Sequence, residues 1–122
     1  MVIYVIQPLK PKYNVIRFLK QYLDQQAPSD KIPIRRTLFH IKENRQNTYI
    51  IQPTTFKNDK KMIEHLRRKD QLGQIILIAN GIDYPYYFSH HHRLLGAIDT
   101  NNISGIQEFK IAFDSYLDYV LK

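Results

Sequence analysis

The sequence predicts an α/β fold: a five-stranded parallel sheet, doubly wound, with helices on both faces in a three-layer sandwich. Three observations lead there. Short runs that are apolar at nearly every residue recur along the chain, as strands buried on both faces require. Between those runs the apolar period changes to that of an amphipathic helix. The 122 residues suit one domain, read as 1–122, and no internal repeat, low-complexity tract or linker interrupts the alternation.

Val2–Ile6 (VIYVI) opens the chain as a β-branched and aromatic strand, stopped by Gln7-Pro8. Val15, Ile16, Leu19, Tyr22 and Leu23 then recur on one face of a helix that ends near Ala27-Pro28, because a residue before proline resists the helical region. KIPIR (Lys31–Arg35) reads as a second strand whose Pro33 favours an edge. A short helix is expected over Thr37–Arg45, with Thr37 as its N-cap and Leu38, Phe39 and Ile41 inward. TYIIQ (Thr48–Gln52) is the third strand, ended by Pro53. Asn58 or Asp59 caps a helix to about Lys69, with Met62, Ile63 and Leu66 inward, and Leu72-Gly73 closes it. QIILIA (Gln74–Ala79) is the clearest buried strand. The aromatic and histidine-rich segment after Asn80-Gly81 reads as a loop and short helix, and LGAID (Leu95–Asp99) as the fifth strand. From Ser104 a last helix carries Phe109, Ala112, Phe113, Tyr116, Leu117 and Val120 along one face.

Composition excludes several classes. An apolar share of 43% supports a core, so general disorder is not expected. Without cysteine there is no disulfide framework and no thiolate chemistry. No run reaches the roughly 18 apolar residues that cross a bilayer. MVIYVIQPLKPK has neither a basic segment ahead of its apolar stretch nor a small-residue cleavage site, so no secretory signal is expected and the reading is cytoplasmic. Eighteen Lys and Arg against eleven Asp and Glu give +7, a surplus that speaks to partners and not to fold.

The element order, with the passage KMIEHLRRKDQLGQIILIAN (Lys61–Asn80) leading into the fourth strand, resembles the receiver domain of response regulators. Within it, LRRKDQLGQIILIAN (Leu66–Asn80) is similar to the IRK-D-P-x-G-x-I-I-F-V-T-S passage of LytTR-type quorum-sensing and competence regulators. The resemblance implies a flavodoxin-like fold, part of a two-component signalling pathway, and a DNA-binding effector domain beyond Lys122. It also implies a phosphorylation pocket at the C-terminal ends of the strands, where open α/β sheets bind ligands. In that family an acidic pair after the first strand and an aspartate ending the third hold Mg²⁺, and the latter takes the phosphoryl group. A hydroxyl after the fourth strand and a lysine after the fifth then hold the phosphate.

This chain departs at every one of those positions. Gln7, Pro8 and Leu9 stand where the acidic pair belongs, and Gln52 stands at the phosphoacceptor. Ala79 and Asn80 replace the hydroxyl, and Thr100, or Ile103 in another register, replaces the lysine. An amide is no nucleophile and supplies no anionic oxygen for Mg²⁺. The expectation is a degenerate pseudo-receiver: not an enzyme, without cofactor, acting as a protein-interaction and dimerisation module of a transcriptional regulator.

Other constellations refine that reading. Tyr84, Tyr86, Tyr87 and Phe88, with His90, His91 and Arg93, form an aromatic and basic cluster at the helix that receivers use to dimerise, two of its four rings being expected in the core. A homodimer or a regulatory protein partner is expected there. On a helix His90-His91-His92 point about 100° apart, and Leu94 and Leu95 offer no ligand at i+4, so no metal site is expected. Lys57, Lys60, Lys61, Arg67, Arg68 and Lys69 are interrupted by Asp59, Glu64 and Asp70, a mixture that reads as a solvated helix face, which Lys31, Arg35, Arg36 and Lys42 extend. No catalytic motif occurs, the four glycines are scattered at turns, and Asp83 and Asp99 stand isolated. Two alternatives remain. One is a stand-alone basic α/β protein that binds nucleic acid. The other is a small-ligand or peptide sensor using the emptied pocket around Gln7, Gln52 and Asn80.

Overall fold

A computed structural model describes residues 1–26, 32–38, 41, 47–53 and 58–121. Its strands are β1 (Val2–Ile6), β2 (Ile34–Arg35), β3 (Asn47–Ile51), β4 (Gln74–Ala79) and β5 (Gly96–Asp99). Its helices are α1 (Val15–Gln26), α2 (Asn58–Lys69), α3 (Tyr84–Ser89) and α4 (Ile106–Leu121). All strand pairings are parallel, and the order is β2-β1-β3-β4-β5. An α/β chain with an all-parallel sheet in this order is compatible with a flavodoxin-like fold.

The register explains the apolar runs. β1 pairs with β3 from Val2↔Asn47 to Ile6↔Ile51, and β3 with β4 from Thr48↔Gln74 to Ile51↔Leu77. Every residue of β3 is buried, as are five of the six in β4. Successive side chains of a strand point to opposite faces, and the buried apolar residues accordingly sort into two clusters. The first joins Ile3, Val5, Ile50, Ile76, Ile78 and Ile98 to residues of α1 and α4. The second joins Tyr4, Tyr49, Ile51, Ile75 and Leu77 to residues of α2 and to Tyr87 of α3.

The edges behave as their sequences require. β2 pairs only with β1, through Ile3↔Ile34 and Tyr4↔Arg35, and the carbonyl of Pro33 accepts the Ile3 N–H at 3.0 Å, which needs no proline N–H. At the other edge, a Cβ on Gly96 would come within 2.6 Å of the Tyr116 ring, so β5 admits only glycine where α4 lays that ring on it.

One element is corrected. Among the described residues four helices alternate with the strands, not five. Of the segment Thr37–Arg45, Thr37, Leu38 and Ile41 are not helical, and the rest lies outside the described residues. Leu38 and Ile41 still pack against the second cluster.

Candidate functional site

The parallel register places one residue just beyond each of four adjacent strands: Gln7 after β1, Gln52 after β3, Asn80 after β4 and Thr100 after β5. All four are neutral hydrogen-bonding side chains, and each is bonded to another group of the protein, Gln52 and Thr100 being buried, Gln7 half-buried and Asn80 exposed. Gln7 Oε1 accepts the Val15 N–H at 2.9 Å, and its Nε2 donates to Asn14 Oδ1 at 3.4 Å. Asn14 in turn accepts the Arg17 N–H, the bond that an N-cap asparagine makes at the start of a helix. Gln52 is buried; its Nε2 donates to the Tyr13 carbonyl at 2.8 Å and its Oε1 accepts the Tyr13 N–H at 3.5 Å. Thr100, buried, donates its hydroxyl to Asn80 Oδ1. The amides at the strand ends thus tie the β1–α1 connection to the sheet and tie β4 to β5. Pro8 and Leu9 carry no such bond, and Leu9 is wholly exposed. Ala79 is buried.

Two carboxyl groups stand beside this row. Asp99 Oδ1 accepts the N–H groups of Gly81 at 2.9 Å and Asn101 at 3.0 Å. Burial works against its charge, yet the N–H groups of Gly81, Asn101 and Ile82 together hold its carboxyl below the usual range. Gly81 has φ 73°, the left-handed region that glycine reaches freely, which lets its N–H meet that carboxyl. Asp83 caps α3 by accepting the Tyr86 N–H at 3.2 Å and also accepts from Lys60 at 2.8 Å. The Lys60 bond, followed by the Tyr86 N–H, keeps its carboxyl below the usual range. Lys60 also lies 4.7 Å from the centre of the Tyr86 ring.

Sequence reasoning missed the groups that hold α2. Asp59, Ile63, Leu66 and Asp70 follow one another at i, i+4, i+7 and i+11, and all four are buried. Tyr87 donates to Asp59 Oδ2 at 2.7 Å, and Tyr49 donates to Asp70 Oδ2 at 2.8 Å. Burial, followed by these bonds, pushes both tyrosine hydroxyls well above their usual range. Asn47 Nδ2 joins the second pair at 3.1 Å from Asp70. The helical spacing of the two acids with the apolar stripe was the available signal.

The candidate interface divides. Phe88 is 86% exposed and Tyr84 51% exposed. Tyr87 is buried and Tyr86 half-covered, the two rings of the four that pack inward: Tyr87 points at Asp59, and the Tyr86 ring lies 4.1 Å from His90 and beneath Lys60. The histidines, read as lying on a helix, instead form the turn that follows α3, which ends at Ser89, and His90 and His91 are exposed. His91 takes φ 56°, and the His90, His91 and His92 N–H groups return to carbonyls of α3. The His90 and His92 rings come within 6.0 Å of each other. Even so, among the described residues no group of three His, Cys, Asp or Glu could hold a metal ion.

Of the basic residues, Arg67 is corrected from surface to clamp. Its guanidinium donates to the carbonyls of Gln71, Gly73 and Arg93, closing the C-terminal end of α2 on the lead-in to β4 and β5. Burial, followed by the neighbouring Arg93, lowers its proton affinity. Lys61, Arg68, Lys69 and Arg93 are exposed, as are Arg35 and Arg36. Lys31, Lys42 and Lys57 lie outside the described residues.

At the opposite ends of the strands a shallow cavity of ≈ 270 Å³ is lined by Met1, Asn47, Leu72, Gln74 and Val120, none of which carries reactive chemistry. No helix of the described residues is long and apolar enough to cross a membrane. Comparison with protein-family models, with curated proteins and with solved structures finds no match for this chain.

Proposed function

We propose that this chain is a receiver-like module that does not accept phosphate and that works through protein contacts, as the regulatory part of a cytoplasmic transcription regulator. In this reading the fold is a doubly wound three-layer sandwich and an effector domain beyond Lys122 binds DNA. One observation carries the proposal. The row Gln7, Gln52, Asn80 and Thr100 occupies the strand ends with neutral groups that bond to the protein itself, where a phosphorylation pocket needs carboxylates. The side chains that could greet a phosphate instead brace the loops.

The interaction surface follows from exposure. Tyr84 and Phe88 on α3 and Tyr119 on α4 are large and exposed, and β5 is an edge strand of the sheet. Tyr is favoured where one end of a side chain is apolar and the other wet. Homodimerisation on this face is the expected mode.

Two measurements test the reading. Incubation with acetyl phosphate and Mg²⁺, followed by intact mass, is expected to leave the chain unmodified, and an acyl-phosphate adduct on it would overturn the proposal. Sedimentation velocity is expected to show a dimer that Phe88→Glu with Tyr119→Glu converts to monomer. A dimer that survives both changes would move the interface elsewhere.

A further inference from the structure

The basic stretch of α2 looks balanced in sequence, with Asp59, Glu64 and Asp70 among its cations. The fold unbalances it. Asp59 and Asp70 turn inward and are engaged by Tyr87 and Tyr49, so solvent meets Lys61, His65, Arg68 and Lys69 against the single acid Glu64. The turn after α3 extends this surface. It adds the exposed His90, His91 and Arg93, and it touches α2 directly: the Arg67 guanidinium donates to the Arg93 carbonyl, and His92 lies within the field of Glu64 and Arg67. Residues 60, 64 and 67 line the side of α2 toward that turn, and 61 and 68 follow about 100° further round the helix. The two cationic groups therefore adjoin. Among the described residues none of Lys61, Arg68 and Arg93 is in an ion pair.

We propose that the outward face of α2 and the histidine turn form a docking surface for the phosphodiester backbone of a double-stranded nucleic acid. This is independent of whether the strand ends ever held phosphate. Charge complementarity selects a polyanion, since separate cations along a helix face can each meet a phosphate without reading sequence. The rings select a duplex over a single strand, which would need bases stacked on free aromatic faces. On this side Tyr86 is already covered by Lys60 and His90, whereas the exposed Tyr84 and Phe88 lie round α3, with Tyr84 facing Asp99 and Tyr116.

The test is fluorescence anisotropy of the full chain with a labelled 20-base-pair duplex of arbitrary sequence, titrated between 50 and 200 mM KCl. Binding in the micromolar range at about 50 mM salt, weakening steeply with salt, is expected. Lys61→Gln, Arg68→Gln and Arg93→Gln together should lower affinity about tenfold or more and flatten the salt slope by about 2–3. The charge-matched control Lys10→Gln, Arg17→Gln and Lys20→Gln, on the α1 side, should lose less than about threefold, since those cations lie off the docking surface. All six side chains are exposed, and the single changes Arg68→Gln and Arg93→Gln give the same comparison should a triple variant misfold. No binding at 50 mM, equal losses in the two triples, or tighter binding of a single strand than of the duplex would each overturn the proposal. So would binding to vesicles containing phosphatidylserine in the absence of any duplex binding.

Discussion

The first core cluster joins α1 and α4 to the sheet chiefly through apolar and ring packing, with Phe109 stacked 4.2 Å from Tyr13 and 5.7 Å from Phe113. The second cluster holds α2 by a tyrosine hydroxyl on a buried carboxyl at either end of the helix. Non-directional packing tolerates small shifts and is roughly proportional to area. A buried hydrogen bond fixes position, because a carboxyl left without its donor keeps the full cost of its desolvation. The contrast places the rigid registration of the molecule at α2 and α3, the elements that carry its cationic surface. The α1 and α4 side supplies bulk stability.

If that division is right, the largest loss comes from emptying the first cluster. Phe109→Ala removes a fully buried ring contacting α1, α4 and the β1–α1 connection, and should cost about 3–5 kcal/mol in urea denaturation. A loss under about 2 kcal/mol would mean that this side collapses around the hole and is less tightly packed than the ring distances indicate.

A smaller loss should come from the second cluster. Tyr87→Phe keeps the ring and deletes the donor to Asp59, a residue only 2% exposed whose other carboxyl oxygen has no partner among the described residues. The expected cost is about 1–3 kcal/mol. Tyr22→Phe, at the half-buried bond to Asp118 between α1 and α4, should cost less, about 1 kcal/mol. Equal losses would erase the distinction between the two sides. Urea denaturation of the two variants side by side decides it.

Those pairs also show what the sequence could and could not disclose. Strands such as QIILIA were legible because burial on both faces leaves no polar residue to obscure the run, and β4 spans Gln74–Ala79 as read. Leu38 and Ile41 misled by their spacing, since both pack against the second cluster from outside any helix. At the strand ends the loss of every carboxylate was visible, but not where the amides turn: Gln52 reaches the backbone of Tyr13 39 residues away, a partner that no local pattern encodes. Arg67 was read as surface for the same reason, its acceptors being carbonyls that carry no sequence signature.

The turn after α3 offers a finer probe of how firmly the second cluster is registered. His91 holds φ 56°, a region that costs a residue with a side chain about 1–2 kcal/mol. His91→Gly relieves that cost and adds freedom to the unfolded chain, so a net gain of about 0.5–1 kcal/mol is expected in thermal or urea unfolding. A loss instead would show that the His91 side chain makes a contact the turn depends on.

The smallest expected effect depends on pH and isolates His92. Burial, then the neighbouring His90, with Arg67 and His91 adding to them against the opposing Glu64, lowers its proton affinity below the ordinary value of 6.5. On the α3 side the Tyr86 ring lies 6.3 Å away. A folded-state value below the unfolded one means that the unfolded chain binds the proton more readily. The contribution of His92 is therefore present above about pH 6.5 and is lost as pH falls through the folded-state value. Compared across pH 7.5 to 5, the native chain should lose stability relative to His92→Gln, whose side chain does not titrate. If the difference between the two were flat, the turn would open without cost when charged, and the registration argued for α2 and α3 would stop short of their connecting turn.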